Sequence, residues 1–211
     1  MSLSPKLAIR MFSMLCIDFQ IARSFISLTV DSMHILQIHF GEISAERAAC
    51  IASVKRDYAD CSYELVTDAE KCIAEIMDFL KLTERPRRFD PSNLKGKVVI
   101  SDWYKFVRGV QDGDMLGIDT DAMSLKRIDF PFVDNGKPYL LEMSPEQSDI
   151  AVLYANHSRA LLDRLNDFAS HNAFNVLYGP MDCNVIPEEY IRHIGPSSTT
   201  EEHWQKNTWN W

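Results

Sequence analysis

Asp119-Thr-Asp121 follows directly on the apolar run Met115-Leu-Gly-Ile118. Two carboxylates one residue apart repel at close range unless a cation lies between or beside them. Hard carboxylate oxygens favour Mg²⁺ or Mn²⁺ over zinc. An ion held there would in turn hold a phosphate or pyrophosphate. If the apolar run is a strand of an α/β sheet, the pair also stands where such sheets bind ligands, beyond the carboxyl ends of the strands. The plainer reading of the same residues is a pair of solvated turn carboxylates.

The surrounding elements decide whether that position is real. His34–Phe40 is a short apolar run closed by Gly41, as in a buried strand. Ser44 is placed to cap a helix over Ala45–Val54. Ser62-Tyr-Glu-Leu-Val66 alternates like a second strand, and Thr67 or Asp68 caps a helix carrying Ile73, Ile76, Met77 and Leu80 at helical spacing. Thr83–Lys97, with Pro86, Pro91 and Gly96, predicts a loop; Val98-Val-Ile100-Ser101 then leads into a helix over Asp102–Val110. Asp112-Gly-Asp114 is a turn before the Met115–Ile118 run. Tyr139–Met143 reads as a strand, Ser158–Ala169 as a helix and Val185-Ile-Pro187 as extended chain. Alternating β and α elements predict a single α/β domain.

Bulk properties narrow the function classes. At 211 residues, 46% hydrophobic and 25% charged, the chain has one domain's length and an ordinary globular composition. Its 22 basic and 30 acidic residues leave a net charge of −8, the wrong sign for a nonspecific nucleic-acid binder. Cys16, Cys50, Cys61, Cys72 and Cys183 are odd in number and form no C-x-x-C, which argues against a zinc ribbon or disulfide scaffold and for reduced thiols in a cytosolic compartment. Leu7–Val30 is apolar but interrupted by Arg10, Asp18 and Arg23, so it is not a membrane span. Residues 1–32 are open to three readings: an N-terminal helix, a membrane-surface element or an upstream misread start. The patterned domain runs over 33–211, with a polar tail at 196–211 that holds three of the chain's four tryptophans.

Gln37-Ile-His-Phe-Gly41, Asp60-Cys-Ser-Tyr-Glu-Leu-Val66, Ile100-Ser-Asp-Trp-Tyr-Lys-Phe106, then Gly113 and Ile118-Asp-Thr-Asp121 occur in that order. Together they resemble the D-x-D sugar transferases, a family that includes the initiating mannosyltransferase of yeast outer chains and bacterial capsular-polysaccharide transferases. The clostridial glucosylating toxins are more distant relatives. The resemblance spans about residues 33–209. His203-Trp204 and Asn207-Thr-Trp209 are similar to the family's H-H-W-x-x-S-W ending with one extra residue, and Tyr178-Gly-Pro180 to its T-G-P turn.

The resemblance implies a GT-A fold: a Rossmann-like, nucleotide-sugar-binding single domain with a mixed, mainly parallel sheet flanked by helices. It implies a UDP- or GDP-sugar donor held through Mn²⁺ or Mg²⁺, and retention of anomeric configuration. Carried over, Asp121 coordinates the metal, with Asp119 near the ribose or sugar and the metal. Asp102 hydrogen-bonds the donor sugar, and Gln37 borders the base. Lys105 stands where the family has arginine; it keeps the charge and loses the bidentate fork. His39 stands where the family usually has tryptophan, and taken alone it reads as a core histidine. Gly117 replaces the aromatic that usually precedes the motif. In the tail, His203 would complete the metal shell and Trp209 would cover a base or sugar face. For a retaining route through a covalent intermediate, Glu146 and Asp149 are the downstream carboxylates to test.

The expected activity is a metal-dependent retaining glycosyltransferase of polysaccharide biosynthesis. Its acceptor is a glycan, a lipid-linked glycan or a protein, and its expected place is cytoplasmic, with peripheral contact to the inner face of a membrane. The first alternative is a degenerate relative that binds a nucleotide sugar without turnover. The second is a haloacid-dehalogenase-type D-x-D phosphatase, whose motif usually has Thr or Val where this chain has Met123.

Overall fold

In β1 (His34–Ile38) successive side chains point to opposite faces, which sends Ile35 one way and Leu36 and Ile38 the other. The computed structural model describes residues 33–144, 147–174 and 181–194, with only the backbone at 142–144 and 147–149. Residues 1–32, the tail at 196–211 with His203 and Trp209, the Tyr178-Gly-Pro180 turn and Glu146 lie outside the described residues. Asp149 is described only as a backbone position.

After β1 come α1 (Ala45–Asp57), β2 (Ser62–Val66), α2 (Ala69–Leu80), α3 (Leu94–Asp112), β3 (Met115–Ile118) and β4 (Ala122–Ser124). They are followed by β5 (Tyr139–Ser144), β6 (Gln147–Tyr154), α4 (Arg159–Ser170), β7 (Asn184–Ile186) and β8 (Ile191–His193). Six strands form one sheet in the order β2-β1-β3-β6-β5-β7, and β4 and β8 form a separate ribbon. β1 pairs in parallel with β2 and β3, and β5 with β7; β6 runs antiparallel to both β3 and β5. The expected α/β architecture with a mixed, mostly parallel sheet flanked by helices is therefore what forms.

Two apolar cores lie on the two faces of this sheet. Leu36, Met115 and Leu153 pack with Ile73 and Ile76 of α2, Trp103 and Val107 of α3, and Leu161 and Leu165 of α4. Ile35, Leu116 and Val152 pack on the other face with Val54 of α1, Tyr58 and Ile191. The connection from β1 to β2 moves one way along the sheet and the return to β3 moves the other way. Crossovers of one hand must then put α1 and the α2–α3 pair on opposite faces, as the two cores show. β1 is thus the strand at which the winding reverses.

The expected loop over Thr83–Lys97 is corrected at its end, since α3 begins at Leu94, well before Asp102. Asn93 caps it, its side chain accepting from the Gly96 N–H at 2.8 Å. The Val98-Val-Ile100 run is helical because Val99 and Ile100 enter the same core as Trp103 and Phe106. β4, β6 and β8 had no counterpart in the sequence reading. Gly96 permits a close approach: a Cβ there would lie 1.9 Å from the Asp90 carbonyl oxygen and 2.9 Å from its nitrogen. The Asp90 carboxylate is pinned by Ser92 and Asn93, so this backbone has little room to move. Gly96→Ala is expected to cost about 2 kcal/mol of unfolding free energy, although alanine is favoured by about 1 kcal/mol in an unhindered helix. A thermal melt at or above the wild-type Tm would refute the close approach.

Candidate functional site

Where the winding reverses, a crevice lies beyond the carboxyl ends of β1 and β3. It is lined by His39 and Phe40 after β1, Arg47 of α1, Lys97, Ser101 and Asp102 of α3, and Asp119-Thr-Asp121 after β3. The described walls enclose about 130 Å³. Pockets that hold a whole drug-sized ligand measure about 300–1,000 Å³, so these walls suit the phosphate-sized part of a ligand.

Strand alternation assigns each side chain its neighbour. Met115, Gly117 and Asp119 share the α3 side of β3. There Lys105, almost wholly buried, donates to Asp119 Oδ1 at 2.5 Å and to the Ile150 carbonyl at 2.8 Å. Helical side chains lean toward their helix N-terminus, which in α3 is the end at the crevice. The lysine stem crosses Gly117, where a Cβ would sit 2.7 Å from Lys105 Cγ and 3.0 Å from Cδ. Gly117 and Lys105 are therefore one arrangement: glycine makes room for the stem that reaches Asp119. Gly117→Ala is expected to cost about 1–2 kcal/mol in a urea titration, despite the usual penalty of glycine inside a strand. A stabilised variant would show that the stem can move aside.

Thr120 points the other way, to His39. The His39 Nε2 lies 2.9 Å from the Glu42 carbonyl, which can only accept, so Nε2 carries the proton. Nδ1 then accepts from the Thr120 hydroxyl and from an Arg47 Nη1–H, each at 3.1 Å. His39 is thus buried, as a core histidine would be, and also positions Arg47. Asp121 faces Arg47 Nη2 at 3.7 Å and His193 Nε2 of β8 at 3.4 Å.

These neighbours split the two carboxyls. Burial pushes Asp119 above the ordinary carboxylate range, with Lys105 pulling against it and Asp121 adding to it. Burial acts on Asp121 too, but His193 and Arg47 outweigh it and hold that carboxyl low. Both side chains keep more than a quarter of their surface open, 29% and 26%, so each can still meet a ligand.

Asp102, Asp119 and Asp121 come together as the sequence suggested. Lys105 does not line the crevice, because its ammonium is engaged beneath Asp119. Gln37 is also absent from the lining. Fully buried, it donates to the Asp119 carbonyl at 3.4 Å and accepts from the Tyr63 hydroxyl at 2.8 Å, so it braces the motif's backbone. Arg47, Lys97, Thr120 and His193 escaped the sequence reading. Lys97 could have been found from its four-residue spacing to Ser101 and Lys105, had α3 been started at Leu94. Arg47 and His193 carry no local signal.

Among the described residues no set of three or more His, Cys, Asp or Glu side chains is arranged to hold a metal. Asp119 and Asp121 are nevertheless hard oxygen donors, and Mg²⁺-type ions are commonly bound by one or two carboxylates with phosphates and waters supplying the rest. The donor set fits an ion that arrives with a phosphate and does not fit an all-protein cage. Comparison with protein-family models, curated proteins and solved structures gives no match to this chain.

Proposed function

We propose that the protein is a metal-dependent, retaining glycosyltransferase of GT-A type that takes a UDP- or GDP-sugar. The observation that carries this reading is the crevice at the winding reversal, which Asp119, Asp121 and Asp102 line together with Arg47 and Lys97. Carboxylates and cations lining one crevice suit a ligand that is itself anionic and chelated to a cation, as a nucleotide diphosphate is. Asp121 and the open side of Asp119 would hold Mn²⁺ or Mg²⁺, which when bound neutralises charge on the diphosphate. Arg47 and Lys97 add positive potential where leaving-group charge develops. Asp102, at the crevice edge of α3, is placed to orient the sugar. The acceptor is a glycan, a lipid-linked glycan or a protein. Among the described residues no helix is long and apolar enough to cross a membrane. The proposed place of the enzyme is cytoplasmic, with peripheral contact to the inner membrane face.

One observation favours a second reading, a relative that binds the donor without turnover. The ammonium at the family's arginine position is tied to Asp119 and does not reach the crevice. Incubation with a panel of UDP- and GDP-sugars plus Mn²⁺ separates the two. Release of UDP or GDP supports the transferase; Mn²⁺-dependent donor binding without release supports the binder. Phosphate release from simple monoesters, with indifference to nucleotide sugars, would sink both and restore the phosphatase.

A further inference from the structure

Arg47 bridges His39 and the D-x-D pair at the crevice. Its two terminal nitrogens have different partners. Nη1 is held by His39 Nδ1 at 3.1 Å, while Nη2 lies 3.7 Å from Asp121 Oδ2, the carboxylate best suited to a divalent ion. A divalent ion bonded to that oxygen and a guanidinium facing it would repel each other at close range. Across the crevice stands Lys97, half-buried and with no ion-pair partner among the described residues. Its Nζ would lie 3.5 Å from a Cβ on Gly41, which places the ammonium at the end of β1.

We propose that Arg47 is an exchangeable cation. It neutralises Asp121 in the arrangement described, and it transfers to a phosphate oxygen when a diphosphate enters with its divalent ion. Resting on the transferase reading, this names how that site couples the two ligands. The guanidinium pivots on its bond to His39, so only Nη2 changes partner. Phosphate is the better partner for that nitrogen, because an Nη2–H donated to a phosphate oxygen is a charge-assisted hydrogen bond, whereas the 3.7 Å approach to Asp121 is too long to be one. Lys97 takes the other side of the same anion. The metal alone must evict Arg47, and the diphosphate alone must face two carboxylates; together each removes the other's obstacle. Metal and diphosphate therefore bind with positive coupling, and the coupling is reciprocal.

Calorimetry on the full chain at one pH tests this, with Mn²⁺ alone, inorganic pyrophosphate alone and the Mn²⁺–pyrophosphate chelate. Arg47→Ala is expected to bind Mn²⁺ alone about threefold more tightly, the yield of releasing a partly exposed ion pair. It is expected to bind the chelate about tenfold more weakly, as a charged hydrogen bond is lost. Lys97→Ala weakens the chelate by about the same factor and leaves Mn²⁺ alone unchanged. Arg47→Gln keeps an amide donor for His39 and repeats the Arg47→Ala pattern, which guards against misfolding of the smaller variant. Unchanged or weaker Mn²⁺ binding in both Arg47 variants overturns the exchange, as does a wild-type chain that binds no chelate. If the pattern holds but no nucleotide sugar binds, the exchange stands and the transferase reading fails. If nucleotide sugars bind without the pattern, the transferase reading stands and the exchange fails.

Discussion

Asp121→Ala is expected to reduce Mn²⁺-dependent nucleotide release by at least about a hundredfold while leaving the fold intact. Groups that merely support a metal ligand are worth about 10–100-fold, and in the proposed site Asp121 is the ligand itself. Asp119 alone leaves the ion one carboxylate oxygen, because Lys105 holds the other. The ion pairs that Asp121 makes with Arg47 and His193 are long, at 3.7 and 3.4 Å, and partly open to solvent. Their loss should change stability by no more than about 1 kcal/mol. Removing Asp121 also lifts its repulsion from Asp119, whose carboxyl moves back toward its ordinary range. The checkable combination is a thermal melt close to wild type with activity at background. Activity within a few-fold of wild type would mean that the D-x-D pair holds no ion.

Lys105→Met is expected to lower unfolding free energy by about 3 kcal/mol. Breaking a buried ion pair by removing one partner costs about 3–5 kcal/mol, because the surviving charge is left uncompensated. The low end applies here, since the Asp119 side chain is 29% exposed and regains some solvent. Methionine preserves the stem that crosses Gly117, so the loss reports on the ammonium, its carboxylate and the Ile150 carbonyl. Urea titration of Lys105→Met, Asp119→Asn and the double variant gives the coupling directly. Directly paired groups usually differ from additivity by about 0.5–3 kcal/mol. An additive cycle would mean that the ammonium does not depend on the Asp119 carboxylate.

Much of the framework could be read locally. Ser44 and Asp68 mark the starts of α1 and α2 because an oxygen side chain at that place satisfies a helix N–H that nothing else would. Ile73 and Ile76 mark a helical face, and the alternation in 34–38 and 62–66 marks strands. α3 was mistaken at its start because Gly96 and the β-branched run argue against a helix, while packing against Trp103 and Phe106 overrides them. β4 and β8 are three residues each and have no periodicity to display. They exist because they pair with each other, His193 opposite Ala122.

For the site, the D-x-D pair is visible in the sequence because its meaning is local: two like charges one residue apart behind an apolar strand. The same holds for the class of ligand proposed for it, a hard cation with a phosphate. What surrounds the pair was decided by tertiary structure alone. The reversal at β1 brings His39 beside Thr120, α1 delivers Arg47 and the β4–β8 ribbon delivers His193. No periodicity along a chain encodes which distant residues meet at the end of a strand. The roles of Lys105 and Gln37 also turned on burial, which removed both from the ligand's reach and set them to bracing Asp119 instead. A side chain's type states what it can bind, but only packing determines whether that partner is a ligand or the protein itself.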